Sequence, residues 1–578
     1  MTYYGYKPWG WLTRRSPSDF LALILVACVL GFFYRDFLTG RTYVRDDNLT
    51  EFYPGVNYFA KSIHEGRFPL WFSGVRNGLP FYSDPQMAVF YPPQWLLVPF
   101  VENGRLPFLI YQRYIILHYL LGGLFMYAFL KEIKLRPIAA LGGALVFCLS
   151  GFASTRISCF VIIQVYVWLP LQLLFVHRYT SDRSRWAWLG LVWAILMSLL
   201  AGHQQTAVYC WYVVIAYWLH RRYYARQKDS PGWRTTMQRM AKIDVPKLVG
   251  TFVLVFGLGG VLVVPGAENW WRTGRPRQSF EQLADSSLPY PQLLTLLVPN
   301  FFGETRDIAP PVPFWGYDPH SPSVATTPVF NATPGFWQYS QFAAYAGQVF
   351  WLALLLILFN WRSIEDKLNV SFFLATWVVA IWFMLGRYGG FFQVLYYLLP
   401  GVSLFRIPAC MSCIATFAAA TLSAYLVDLL IQRAQVLRYW PAVLPSAGCV
   451  CLYVVLTVYG GNLADGLRNP DRLNWARRET YFALLVGGIC ALAFVTAVRA
   501  RKQAVQTGCI CALLAISVAD FHHAYGDFHR GHVSPDEYFP ETNPLLTLLR
   551  DYHERLGPFR FGQIIDGRVS EEALVLGF

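Results

Sequence analysis

Apolar residues run in long blocks along this chain, and polar residues gather between the blocks. A block of about twenty apolar residues crosses a hydrocarbon core as a helix, and the pattern predicts about thirteen of them. They start near Phe20, Pro107, Pro137, Cys159, Trp186, Thr206, Lys247, Phe342, Phe372, Ile407, Pro441, Tyr481 and Val505. The stretch 391–399 is too short to cross and reads as re-entrant or interfacial. No internal repeat and no low-complexity tract interrupts the pattern. The expected fold class is an all-α integral membrane protein.

The short connections set the orientation, because Lys and Arg stay on the cytoplasmic side. With Lys7, Arg14 and Arg15 inside, alternation places Lys131/Lys134/Arg136, Arg178/Arg183/Arg185 and the basic stretch 221–247 inside as well. Arg362/Lys367, Arg433/Arg438 and Arg499/Arg501/Lys502 follow them. Only the Arg-containing stretch 467–479 falls on the wrong side. The same alternation puts two long polar segments outside, about 35–106 and 267–341, together with 386–406 and the tail. The expected organisation is a polytopic membrane domain over 1–520. An extracytoplasmic tail, or the start of a small soluble domain, follows over 521–578.

Composition agrees. Of 578 residues, 55% are hydrophobic and 14% charged, against about 25% charged in soluble domains. This argues against an ordinary cytosolic enzyme and against disorder. Mean hydropathy is +0.35. Aromatics reach 17%, which suits membrane interfaces. The net charge of +14 lies mostly beside apolar stretches, so topology and anionic membrane lipid explain it and no nucleic-acid partner is expected. The eleven cysteines fall in or at the edge of apolar runs and read as small buried side chains, the Cys410/Cys413 pair included. The first apolar run follows Arg14 and Arg15 with no small-residue cleavage site after it, so it reads as a retained anchor.

The first outside segment opens with Arg45-Asp46-Asp47-Asn48. Adjacent carboxylates at a membrane surface repel and are costly to desolvate. They bind a metal, take up a proton, or simply face water and cap a helix. After them Leu49, Phe52, Val56, Phe59, Ala60 and Ile63 recur at helical spacing. That predicts an amphipathic helix in the interface, and Asn48 with Glu51 has the spacing of a capping box. A Gly-, Pro- and aromatic-rich stretch follows, with Trp71 and Asp84 in it. Such a stretch forms a platform for sugar rings or an interfacial anchor.

Further candidates lie near the other outside edges. They are His203 and Gln204 in Gly202-His203-Gln204-Gln205, Glu268 after Pro265, and Glu304 after Phe301-Phe302-Gly303. Arg387 and Arg406 flank the short segment 391–399. An arginine at that depth either binds an anion through its fork of donors or snorkels to lipid headgroups. Arg156 has the same two readings. No phosphate-binding loop, zinc-protease signature, nucleophile elbow or dinucleotide fingerprint is present. Two glycosylation sequons, at Asn48 and Asn331, are short enough to arise by chance.

The ordered set resembles the GT-C glycosyltransferase fold and, within it, the YfhO-like family of bacterial multi-span membrane proteins. The residues that carry the likeness begin with Asp46-Asp47, Tyr53-Pro54 and Gly66-Arg67-Phe68-Pro69-Leu70-Trp71. Gly78-Leu79-Pro80-Phe81, Phe90-Tyr91-Pro92 and Gly202-His203-Gln204 continue it. Phe301-Phe302-Gly303, Tyr345 with Gly347, Phe405-Arg406-Ile407-Pro408 and Ser534-Pro535-Asp536-Glu537-Tyr538 complete it. Members of that family are usually longer at the C-terminus, so the likeness implies a short member or a fragment.

The resemblance implies a transferase in the bacterial plasma membrane that takes a sugar from a polyprenyl-phosphate donor. The acceptor would be an extracytoplasmic glycan, teichoic acid, lipid or protein. Arg406 and Arg387 would meet the donor phosphate. Asp46 or Asp47 would be the general base, or would hold Mg²⁺ or Mn²⁺ against the leaving phosphate. Trp71, Asp84, His203, Gln204, Glu268 and Glu304 would face sugar or acceptor. Direct displacement would invert the anomeric centre. The competing expectations are a transporter or flippase of lipid-linked glycan and a non-catalytic scaffold of envelope assembly.

Overall fold

The computed structural model describes residues 16–72, 78–229, 232–272, 279–284, 287–304, 314–315, 336–433, 437–463, 465–528, 530–531, 555, 564–565 and 568–569. Lys7, Arg14, Arg15, the sequon at Asn331 and the motif 534–538 lie outside the described residues.

A helix stands at each of the thirteen expected starts. Among the described residues, eight are long and apolar enough to cross a membrane. One more arises if the pair Trp233–Leu258 and Gly260–Arg272, bent by 77° at Gly259, is a single broken crossing. Three shorter apolar helices, Pro17–Phe33, Arg185–Leu200 and Gln348–Phe359, complete the apolar set. The helix Gln204–Asp229 is long but carries His220, Arg221, Arg222 and Arg226 in its second half. Length and apolarity alone therefore do not reach thirteen crossings. The architecture is that of an all-α integral membrane protein.

The bundle has a distinct centre. In Pro137–Ser158, Phe160–Asp182 and Pro408–Gln432, 94%, 89% and 89% of the apolar window is buried within the protein, against 22% in Trp440–Asn462. Small residues let the central helices approach, as they do where lipid removes the usual hydrophobic drive. A Cβ on Gly143 would stand 2.5 Å from Leu130 Cδ1 and 2.9 Å from the Ala424 methyl.

One end of the bundle is a network of charge. Asp19 accepts from the Tyr127 hydroxyl at 2.7 Å and pairs with Lys131 at 3.3 Å. Arg178 binds Glu132 at 2.7 Å, and Arg222 and Arg226 converge on Asp244 at 2.8 and 3.1 Å. His220 meets the Leu368 carbonyl at 3.1 Å, Asp428 accepts from Arg136 N at 3.0 Å, and Asn360 accepts from Arg438 N at 2.7 Å. Arg499 donates to the Tyr439 hydroxyl at 3.0 Å. These contacts join every short basic connection from Lys131 onward that the sequence assigns to one side.

The opposite end carries the first long segment. A π turn Asn48–Phe52 leads into the helix Tyr53–His64. Two-residue strands, Trp71–Phe72 and Leu79–Pro80, pair antiparallel. Short 3₁₀ turns follow at Phe81–Ser83, Pro85–Met87 and Pro92–Phe100. The apolar stripe of Tyr53–His64 is covered by the chain itself. Phe59 meets Trp95 edge-on at 5.5 Å, Tyr58 stacks on Phe72 at 4.4 Å, and Tyr53 meets Phe108 at 4.8 Å. The capping box expected from Asn48 and Glu51 does not form. Asn48 is fully buried and its amide is used elsewhere, while Asp47 already has helical dihedrals. The tail returns to this end, where Gly531 and Tyr43 exchange backbone bonds at 2.8 and 2.9 Å.

Candidate functional site

The segment that carries the aspartate pair is fixed from both sides. Gln112, in the helix Phe108–Glu132, accepts from Val44 N at 2.9 Å and donates to the Phe37 and Thr42 carbonyls. Beyond it, Asn48 donates to the Ile157 carbonyl at 2.6 Å and accepts from the Tyr111 hydroxyl at 3.1 Å. Between these anchors Asp46 takes φ +52°, a left-handed conformation unusual for a non-glycine residue, which costs about 1–2 kcal/mol. Its carbonyl accepts from Leu49 N, Thr50 N and the Thr50 hydroxyl at 2.9, 3.0 and 3.1 Å. The strained turn aims Asp47 into the protein.

Asp47 is half-buried beside the turn Arg156–Ser158 and Cys159. Burial pushes its carboxyl up, and the charges of Glu51 and Asp46 push the same way. A hydrogen bond from the Cys159 thiol and the positive charge of Arg156 act against them, and the result is about 7. Arg156 itself is 2% exposed, and its nearest hydrogen-bonding contact is Cys410 Sγ, 3.9 Å from Nη2.

His203 joins from the junction of Arg185–Leu200 and Gln204–Asp229. Its Nδ1 accepts from Thr206 N at 3.2 Å and faces the Thr206 hydroxyl at 2.8 Å. The ring therefore caps the helix and carries its proton on Nε2. Burial and the charge of Arg156 push the imidazole down to about 4, so it is neutral near pH 7. Gly202, at φ +107°, makes this junction possible: a Cβ there would stand 2.7 Å from the Pro85 carbonyl.

Arg406 reaches the same place along Pro408–Gln432. Its carbonyl accepts from the Gln205 amide, which also reaches the Ile407 carbonyl at 3.3 Å. Ile407, at φ +66°, donates its N–H to the Leu283 carbonyl at 3.2 Å. The Arg406 side chain is exposed, and its charge acts on Cys410, the thiol that touches Arg156. Asp46, Asp47, His203 and Arg406 thus gather around Arg156.

The other expected residues have different placements. Arg387 is a brace: Nε donates to the Ala284 carbonyl at 3.2 Å and Nη2 to the Glu281 carbonyl at 3.1 Å. Asp84 caps Pro85–Met87 by accepting from Gln86 N at 2.9 Å. Gln204 is half-buried, with a long bond to the Leu199 carbonyl at 3.4 Å. Trp71 is 55% exposed, and Gly78 lies against its indole. Glu268 is exposed and paired with Arg272 at 2.5 Å. Glu304 is buried in the second long segment, its carbonyl accepting from Phe314 N at 3.1 Å. Among the described residues no trio of His, Cys, Asp and Glu stands close enough to hold a metal ion. The donor set around Asp46 and Asp47, with a thiol hydrogen bond and an arginine beside it, does not fit a resident divalent cation.

The sequence missed Cys159, Asn48 and Gln205 as builders of this site. One signal was available for Arg156, a single charge in the otherwise apolar block 137–158.

No protein-family model matches the chain, and no curated protein matches it. Among solved structures, it is similar over 99% of its length to ArnT from Cupriavidus metallidurans crystallised with undecaprenyl phosphate. That likeness has 13% identity, a TM-score of 0.43, and covers 85% of that chain. The Archaeoglobus fulgidus oligosaccharyltransferase in its apo form is similar over 86% of this chain and 59% of its own. There the identity is 11% and the TM-score 0.35. These are distant likenesses.

Proposed function

We propose that this protein is a membrane glycosyltransferase with a GT-C-like fold, of the YfhO-like kind. It takes a sugar from a polyprenyl-phosphate donor and gives it to an extracytoplasmic hydroxyl, in a bacterial plasma membrane. The observation that carries the reading is Asp47: a carboxyl on a strained turn, facing inward, with its proton affinity raised to about 7. A general base works best when its pKa lies near the working pH. Asp47 takes the acceptor hydroxyl proton as the acceptor oxygen bonds to the anomeric carbon. The bond from that carbon to the phosphate oxygen breaks, and polyprenyl phosphate leaves with the electron pair. Attack opposite the leaving phosphate inverts the centre. Arg406, exposed at the mouth of its helix, receives the leaving phosphate as a fork of donors. Neutral His203, with its proton on Nε2, is a donor for a sugar or acceptor oxygen.

The test is donor turnover by purified protein in nanodiscs. Polyprenyl-phosphate hexoses are offered with candidate acceptors, and polyprenyl phosphate release is followed. Asp47→Asn is expected to lower the rate by about 10²–10⁴-fold, the usual weight of a general base. Turnover in Asp47→Asn equal to wild type refutes the assignment of the base. Movement of lipid-linked sugar across liposomes without its hydrolysis or transfer replaces the transferase by a flippase.

A further inference from the structure

We propose that Arg156 is the floor of a buried phosphate-binding site, next to the aspartate pair and distinct from the exposed Arg406. Arg156 is 2% exposed and cannot lose its proton. Its Nε has no hydrogen-bond partner. Nη2 meets only a thiol, Cys410, at 3.9 Å, and the Phe152 ring lies 6.0 Å from the guanidinium carbon. No carboxylate among the described residues pairs with it within 4.0 Å. The buried or largely buried arginines at the other end of the bundle behave differently. Arg178, Arg222 and Arg226 each grip a carboxylate at 2.7–3.1 Å.

An unpaired buried cation is strongly unfavourable unless something anionic meets it. The positive charge of Arg156 acts on the Asp47 carboxyl. The aspartate accepts a hydrogen bond from Cys159 and stands in no ion pair with Arg156 within 4.0 Å. His203 is neutral and a donor, and it stands within reach of the same field. The charge of Arg156 acts on the His203 ring, and the charges of Arg156 and the exposed Arg406 both act on Cys410, so a guanidinium fork, a ring N–H donor and a second arginine share one electrostatic neighbourhood. A tetrahedral phosphate oxyanion fits that donor set: it takes bidentate bonds from an arginine and has oxygens left for other donors. Identifying this anion as the lipid phosphate of the sugar donor rests on the transferase reading. The anion site does not.

The test is binding, without sugar or acceptor. Wild type and Arg156→Met in nanodiscs are titrated with polyprenyl phosphate, with neutral polyprenol and with inorganic phosphate, and both Kd and Tm are read. Arg156→Met is expected to bind polyprenyl phosphate at least tenfold more weakly and to bind polyprenol unchanged. Its own Tm is expected at or above that of wild type, because an uncompensated buried charge has been removed. Polyprenyl phosphate should raise the Tm of wild type only. A merely structural arginine would give the reverse, a lower Tm with unchanged ligand response, and would overturn the proposal. A wild type that does not prefer polyprenyl phosphate over polyprenol, and does not respond to inorganic phosphate, also overturns it. A response to inorganic phosphate that Arg156→Met loses supports the site and names soluble phosphate as a source. If Arg156→Met does not fold, Arg156→Lys decides: it keeps the charge but not the fork, and an unchanged Kd overturns the proposal. Arg156-dependent binding without any turnover would leave this site standing and defeat the transferase. Full turnover in Arg156→Met would do the opposite.

Discussion

Asp47 shows what one side chain's surroundings do to its chemistry. Its ordinary value is 3.8 and its folded value about 7. Between those values the folded protein keeps a proton that the unfolded chain has released. Stability therefore falls as pH rises through that window, and above about 7 the ionised carboxylate is held at a net penalty. Replacing it with Asn removes the penalty. Asp47→Asn is expected to raise Tm at pH 8 and to leave it unchanged at pH 4. Scanning fluorimetry at both values checks this, and an equal shift at both would show that the burial has been misjudged. Wild-type turnover should rise as pH passes through about 7, since only the ionised form can accept a proton. The aspartate pair was legible because two adjacent carboxylates at a membrane edge are unusual. Which one turns inward was not, because that depends on the left-handed turn at Asp46, a conformation uncommon for any non-glycine residue even though Asp is enriched in it. Arg156 was visible as a lone charge in an apolar block. Its isolation was invisible, because pairing is decided by which helices come alongside.

At the scale of elements, the site is held by docking rather than by helix propensity. The spacing of Asn48 and Glu51 predicted a capping box, and the apolar stripe predicted a helix lying in the interface. The helix is there, but it packs within the same protein: Phe59 of the stripe meets Trp95, and Tyr58 and Tyr53 beside the stripe meet Phe72 and Phe108. Asn48 then serves a larger purpose than a cap, tying the π turn to Ile157 and Tyr111. Local spacing could not reveal this, since its partners lie 109 and 63 residues away. Asn48→Ala leaves the buried Ile157 carbonyl and Tyr111 hydroxyl without these bonds, an expected loss of about 1–3 kcal/mol. Asp47 loses its fixed position as well. The expected result is a lower Tm and a fall in kcat with the donor KM little changed. A Tm and kcat both equal to wild type would show that Gln112 alone positions the segment.

At the scale of the whole molecule, the thirteen apolar blocks placed the helices well, and among the described residues eight, or nine with the bent pair, are long and apolar enough to cross. Helices such as Gln348–Phe359 are apolar but short, and Gln204–Asp229 is long but ends in cations. Neither property can be weighed from apolar runs alone, because central helices are covered by neighbours and outer ones are not. Charge gave the stronger whole-chain signal. The short basic connections are far apart in sequence, yet Glu132–Arg178, Thr180–Arg222, His220–Leu368, Asn360–Arg438 and Tyr439–Arg499 join them into one end of the bundle. Asp47, His203 and Arg406 gather at the other. The positive-inside rule predicts that the networked end is cytoplasmic; the proposed transferase would then have its aspartate pair on the side where only lipid-carried sugars are available. Reporter fusions test this directly. Green fluorescent protein joined after Arg239 is expected to fluoresce, and alkaline phosphatase joined after Arg530 is expected to be active. The opposite pattern would place the site in the cytoplasm, where nucleotide sugars compete as donors, and the case for a polyprenyl-phosphate donor would lose its physical ground.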